Sequence, residues 1–204
     1  MYTGITRGTF QVVHASRKPG LLTFAVELGD ELAVGLETGA SVAVDGVCQT
    51  VVALDGTCVT FDAIEETLRL TTLGQLQEGD RVSVERSYRI GDELGGHELA
   101  GHVNGMGRIC EVNSAGGVHD LWVEVPSEWM KYILEKGFIA VDGSSLTVGE
   151  VRSEGRFALH LIPETLRLTN FARKGVGDAV NIELDARTVA IVETVERVLA
   201  QRDV

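Results

Sequence analysis

The sequence predicts a mainly β protein: two similar antiparallel barrels of about six strands each, made by internal duplication, with a helix at the C-terminus. The first observation behind this is a repeat. SVAVDGVCQTV at 41–51 is answered by FIAVDGSSLTV at 138–148, ETLRLTTL at 66–73 by ETLRLTNF at 164–171, and GDRVSVE at 79–85 by GDAVNIE at 177–183. Asp45 pairs with Asp142 at an offset of 142 − 45 = 97, and Thr67 with Thr165 at 165 − 67 = 98. Three blocks in one order at a near-constant offset mark a duplicated domain, and the period is too long for a solenoid. The second observation is that most segments are short, rich in β-formers and cut by glycine. The third is a periodic tail after the second copy that has no counterpart in the first.

The elements follow in order. LLTFAVEL (21–28), SVAVDGV (41–47), QTVVAL (49–54), CVTFDAI (58–64) and RVSVERS (81–87) have strand composition between Gly, Asp and Pro signals. GDELAVGLETG (29–39) is a short helical segment. The polar, glycine-rich stretch YRIGDELGGH (88–97) is the junction between copies. In the second copy RICEVN (108–113), LWVEVP (121–126), GFIAVDG (137–143), LTVGEV (146–151), FALHLIP (157–163) and AVNIELD (179–185) read as strands. A helix is predicted over 126–136, led by Pro126 and Ser127 and stopped by Gly137. In TVAIVETVERVLAQ (188–201), Ile191, Val195, Val198 and Leu199 share one helical face opposite Glu and Arg. That face either packs on its own barrel or gathers subunits. The expected domains are 1–94, 95–187 and a C-terminal helical segment 188–204.

Composition excludes several functions. At 204 residues each half can bury a modest core, and 44% hydrophobic content argues against disorder. A formal charge of −12 without a Lys/Arg cluster argues against nucleic acid. No apolar run approaches the ~20 residues of a membrane span, and MYTGITRGTF lacks signal-peptide regions. Cys48, Cys58 and Cys110 have neither CxxC nor metal spacing, which points to reduced thiols and a cytoplasmic setting. His97 and His102 lie five apart and do not share a helical face as a zinc pair does, so no metal is expected.

MYTGI, AVDGVCQTV, EETLRLTTLG, GGHELAGHVNG, MKYILEKGFIAVDGSSLTV and LIPETLRLTN, in this order from Met1 to about Arg197, together resemble the alpha-chain type of riboflavin synthase. The resemblance implies two six-stranded Greek-key barrels, a C-terminal helix that gathers three subunits, and no cofactor. It also implies the reaction. Two molecules of 6,7-dimethyl-8-ribityllumazine exchange a four-carbon unit, giving riboflavin and a ribitylamino-pyrimidinedione. Association with lumazine synthase is a further implied partner. This chain departs from the family pattern at Tyr2, where Phe is usual, at Asp45, where Asn is usual, and at Gln49, where Leu is usual.

That chemistry needs a proton acceptor, hydrogen bonds for two pteridine edges and groups for two ribityl chains. His102 is the candidate general acid–base, since histidine titrates near ~6.5; the plain alternative is a capping histidine. Cys48 has Ser145 as its counterpart in the other copy, and only the thiol becomes a strong nucleophile if its pKa drops; the plain alternative is a small packed Cys. Ser41 against Phe138 is a second disagreement between copies. Asp185 is an orienter by resemblance and a turn cap otherwise. By resemblance the substrate contacts are Tyr2, Gly4, Ile5, Thr6, Gln49, Thr50, Asp62, Ala63, Ile64, Glu66, Thr67, Gly101, Val103, Lys136, Leu146, Thr147, Ile162, Pro163, Glu164 and Thr165. A non-catalytic lumazine or flavin carrier of the same architecture is the competing reading. Retention of Cys48, His102, Ser145, Thr147 and Asp185 favours the enzyme.

Overall fold

The computed structural model describes residues 1–115 and 118–202; the final two positions of the predicted C-terminal segment lie outside them. Strands β1 (Gly8–Lys18), β2 (Leu21–Glu27), β3 (Ser41–Val44), β4 (Val47–Asp55), β5 (Cys58–Ile64) and β6 (Arg81–Arg86) close into a barrel in the order β1-β2-β5-β4-β3-β6. Strands β7 (Gly105–Ala115), β8 (Val118–Glu124), β9 (Phe138–Val141), β10 (Ser144–Arg152), β11 (Arg156–Leu161) and β12 (Ala179–Leu184) close a second barrel with the same connectivity. The links β2 to β3 and β5 to β6 skip neighbours, so each barrel is a Greek key. Helix α1 (Gly29–Ala33) lies in the first link, and α2 (Glu65–Leu70) and its copy α3 (Pro163–Leu168) follow β5 and β11.

Alternation explains closure. Along β5 the side chains of Val59, Phe61 and Ala63 are buried while Asp62 and Ile64 are exposed. Phe24 and Phe61 meet at 5.3 Å between ring centroids in the first core. Phe157, Leu159, Ile139 and Ile182 fill the second. Each such fully buried side chain contributes about 1.5–3 kcal/mol relative to exposure. Bulges recur at matching places, between Val12 and His14 and between Ile109 and Glu111, and bend strands that must curl around so small a core.

Two expectations change. The predicted 126–136 helix is a 3-10 segment, Ser127–Tyr132: Ile133 is pulled into the core and takes extended angles that end it. Strand β1, absent from the strands read in the sequence, is the longest of its barrel. Its exposed Arg17 and Lys18 masked the pattern.

The barrels meet at their repeated Asp-Gly turns. Asp45 and Asp142 both have φ 44°, and Gly46 and Gly143 follow at 80° and 77°, the left-handed pair a tight hairpin requires. A Cβ on Gly46 would lie 2.4 Å from the Gly143 nitrogen, so the turns pack backbone to backbone. Asp45 accepts from the Ser83 N–H and Asp142 from the Asn181 N–H, each at 2.7 Å. Only Asp142 also has an ammonium, that of Lys174 at 2.5 Å; Leu76 holds the matching place beside Asp45. Burial, and then the Asp142 charge, push the Asp45 carboxyl up to about 7.

After β12, α4 (Ala186–Ala200) runs over the second barrel. Val189 packs on the core, and Lys131 ion-pairs with Glu193 and Glu196. Ile191, Val195, Val198 and Leu199 are all exposed. The predicted apolar face therefore does not pack on its own barrel; the contact with the barrel runs through Val189 and the Lys131 ion pairs instead. Among the described residues no helix is long and apolar enough to cross a membrane.

Candidate active site

The segment before each barrel lies against the other barrel. Tyr2 bridges Leu99, so the two leaders, residues 2–6 and 99–103, pair with each other across the seam. Gly4 C=O accepts from Ser145 N at 2.9 Å, and Gly101 C=O from Cys48 N at 2.9 Å. Gly4 and Gly101 have φ of 74° and 75°. A Cβ at Gly4 would sit 2.5 Å from Ser145 Cβ, and one at Gly101 2.7 Å from Cys48 Cβ. Glycine is required at both for conformation and for space.

On the second barrel this contact borders a cleft of about 200 Å³ lined by Gly4, Ile5, Thr6, Ser144, Ser145, Leu146, Ile162, Glu164, Thr165, Leu168 and Thr169. The structure thus brings eight of the predicted residues together: Gly4, Ile5, Thr6, Ser145, Leu146, Ile162, Glu164 and Thr165. Gly101, His102, Val103, Cys48, Gln49, Ile64, Glu66 and Thr67 take the equivalent places on the first barrel, at the repeat offsets. Glu66 and Glu164 are each held by an arginine three residues on, Arg69 at 2.8 Å and Arg167 at 2.6 Å. Thr67 and Thr165 lie in α2 and α3, where their carbonyls accept from Thr71 and Thr169.

The copies differ where the reactive groups stand. On the first barrel the Tyr2 hydroxyl donates to Cys48 Sγ at 3.1 Å, and the Ser41 side chain lies near the same phenol. Tyr2 is 1% exposed; burial and the adjoining sulfur push its phenol far above the ordinary range. On the second barrel Ser145 Oγ accepts from His97 N–H and lies 2.6 Å from His97 Nδ1. With Nδ1 unprotonated, the serine hydroxyl donates to it. Phe138, which replaces Ser41, stacks on that imidazole at 5.0 Å between centroids. Burial pulls the His97 imidazole below the ordinary histidine range, against the Asp185 carboxylate, which pushes it up. His97 Nε2 is buried with no partner among the described residues.

His97 is the residue that sequence reasoning missed. Its signal was its place just before the leader that holds His102, in GGHELAGH, where the two histidines were weighed only for zinc. His102 itself is exposed beside Gly101. Asp185 is the N-cap of α4, accepting from Thr188 N and Oγ1 at 2.7 Å each, and so does the plain capping job, its charge also acting on His97. Gln49 is buried, donating to the Cys48 carbonyl while its own Oε1 has no partner among the described residues. Thr50, Thr147, Pro163 and Lys136 are exposed, Lys136 with φ 66°. Asp62 accepts from Thr23 on the barrel exterior, and Ala63 points into the core, so it could offer only backbone.

The leaders are anchored by buried glutamates. Glu85 of β6 accepts from Thr3 N and Thr3 Oγ1 at 2.7 Å each and from Gly4 N at 3.0 Å. Glu183 of β12 accepts from Ala100 N at 2.7 Å and Gly101 N at 3.0 Å. Burial raises both carboxyls above the usual range while these donors hold them down.

The sequence model of the lumazine binding domain matches residues 3–87 and again 100–185. The chain is 50% identical over 204 residues to riboflavin synthase of Escherichia coli K12, covering all of this chain and 95% of that protein. It is 38% identical over 200 residues to riboflavin synthase of Buchnera aphidicola subsp. Baizongia pistaciae, covering 98% and 94%. Among solved structures, LumP complexed with riboflavin superposes with a TM-score of 0.84 at 23% identity, over 91% of this chain and 100% of that one.

Proposed function

The chain belongs to the riboflavin synthases, an enzyme family, with both lumazine binding domains on one polypeptide, and from that premise we propose how its residues carry the reaction. Each barrel cleft takes one 6,7-dimethyl-8-ribityllumazine. The first loses a proton from its C7 methyl group, and the resulting carbanion adds to a ring carbon of the second. Collapse of the adduct moves four carbons, leaving riboflavin and 5-amino-6-(D-ribitylamino)uracil. Nothing is oxidised or reduced overall, because the two substrates together contain every atom of the two products. Neither metal nor nucleotide is needed.

The protein's part is alignment and proton handling. Holding two rings face to face replaces a bimolecular encounter, an effect worth up to about 7–11 kcal/mol in well-oriented systems. The leader carbonyls and amides meet the pteridine edges, and α2 and α3, with Thr67 and Thr165, meet the ribityl chains. Cys48, with Tyr2 and Ser41 against it, and the exposed His102 serve bond-making and proton transfer on the first barrel. Ser145 and His97, with Asp185 nearby, orient the other molecule. The observation that carries this reading is the unlike pair Cys48–Tyr2–Ser41 and Ser145–His97–Phe138 on one repeated scaffold, because donor and acceptor roles differ. Three subunits gather through the exposed face of α4, association with lumazine synthase follows the family resemblance, and the free thiols suit the cytoplasm.

The test is to mix the protein with 6,7-dimethyl-8-ribityllumazine and follow absorbance. The lumazine band should fall as the flavin band rises, at the same rate after EDTA. A stable lumazine complex with no flavin would make the chain a carrier, and activity lost to EDTA and restored by one metal would overturn metal independence.

A further inference from the structure

We infer that Glu85 and Glu183 are crossed positioning residues, each setting the active cleft of the barrel to which it does not belong. The inference rests on the functional reading above for its catalytic consequence and on geometry for the contacts. Glu183 stands on β12 of the second barrel, yet the amides it accepts from are Ala100 and Gly101. Gly101 in turn accepts from Cys48 N on the first barrel at 2.9 Å. Glu85 stands on β6 of the first barrel and holds Thr3 and Gly4, and Gly4 accepts from Ser145 N on the second at 2.9 Å. Two independent copies of the same relay, running in opposite directions, make an accident of packing a poor explanation.

The chemistry requires a carboxylate at each position. Both oxygens of each glutamate face N–H donors, and only an acceptor-only group can serve both. Glutamine would turn its own N–H₂ against one of them and leave a buried donor without a partner. The leader would then be free to shift, and with it the backbone that touches Cys48 or Ser145. The glutamates touch no reacting atom in this scheme; they act through the leaders.

Coupling in double-mutant cycles tests the crossing. Glu183→Gln and Glu85→Gln should each lower kcat/KM about tenfold or more, with Glu183→Asp and Glu85→Asp, which keep two acceptors, recovering part of the loss. Glu183→Gln should be strongly non-multiplicative with Cys48→Ser and multiplicative within about twofold with Ser145→Ala; Glu85→Gln should show the reverse. Equal coupling to both partners, coupling within the same barrel, or unchanged kinetics would overturn the inference. Hydrogen-exchange mass spectrometry on the unsubstituted protein gives a second arm that needs no variant to fold. The amides of Thr3–Gly4 and Ala100–Gly101 should be protected, and exchange as fast as an open loop would remove the clamps whatever the kinetics. If the unsubstituted protein bound lumazine without turning it over, the functional reading would fail while exchange still decided the clamps.

Discussion

Cys48 and Ser145 occupy the same place on two copies of one hairpin, yet their neighbours differ in kind. Ser41 leaves room for the Tyr2 hydroxyl over the thiol, whereas Phe138 fills that space and stacks on His97. Cys48→Ser should therefore slow single-turnover chemistry with lumazine still bound, and Ser145→Ala should chiefly weaken binding. Loss of binding with an unchanged chemical rate in both variants would show that the clefts are equivalent cups. Asp45 supports a separate prediction. Its folded-state pKa stands near 7, above the unfolded value near ~3.9. The folded protein therefore binds the extra proton between those values, so this group's contribution to stability falls as pH rises through that window and is lowest above 7. Asp45→Asn keeps an acceptor for the Ser83 amide and tolerates the positive φ. Its unfolding free energy should exceed the parent's at pH 8 by up to a few kcal/mol, read from denaturant titrations, with little gain at pH 4; an equal gain at both would refute the assignment. The hairpin residues were legible because the repeat aligns them. His97 was not, because it lies outside the repeat blocks that aligned the other residues.

Among the elements, the strands that alternate cleanly, such as β5, could be read directly. Strand β1 was hidden because most of its outward positions are polar or charged and its length spans a bulge. The ETLRL segments, read only as repeat blocks, are the helices α2 and α3, whose six residues each are too few for a periodic signal. Helix α4 was read correctly, since its apolar face repeats from Ile191 to Leu199 at helical spacing. Its ion pairs with Lys131 are exposed and screened by solvent, and they hold one face while Ile191, Val195, Val198 and Leu199 stand exposed. On the proposed trimeric assembly, a chain ending after Asp185 should be monomeric by light scattering while the full chain is trimeric. A truncated chain that stays trimeric would place the contact elsewhere.

At the scale of the whole molecule, duplication supplies two like barrels, and each leader lies against the other barrel, so the residues around Cys48 and around Ser145 each come from both halves. The 97- to 98-residue offset made the two barrels visible in the sequence. The exchange was not visible, because it depends on the Gly46–Gly143 contact that brings the turns together in space. The central claim is that two lumazines, held in unlike clefts, are converted together. The direct measurement is the mass balance of a reaction run to completion, with lumazine, riboflavin and 5-amino-6-(D-ribitylamino)uracil quantified by chromatography. Two lumazines should disappear for each riboflavin and each uracil formed, with no added metal, nucleotide or oxidant. Recovery of all the lumazine unchanged, or riboflavin formed without an equal amount of the uracil, would contradict the account.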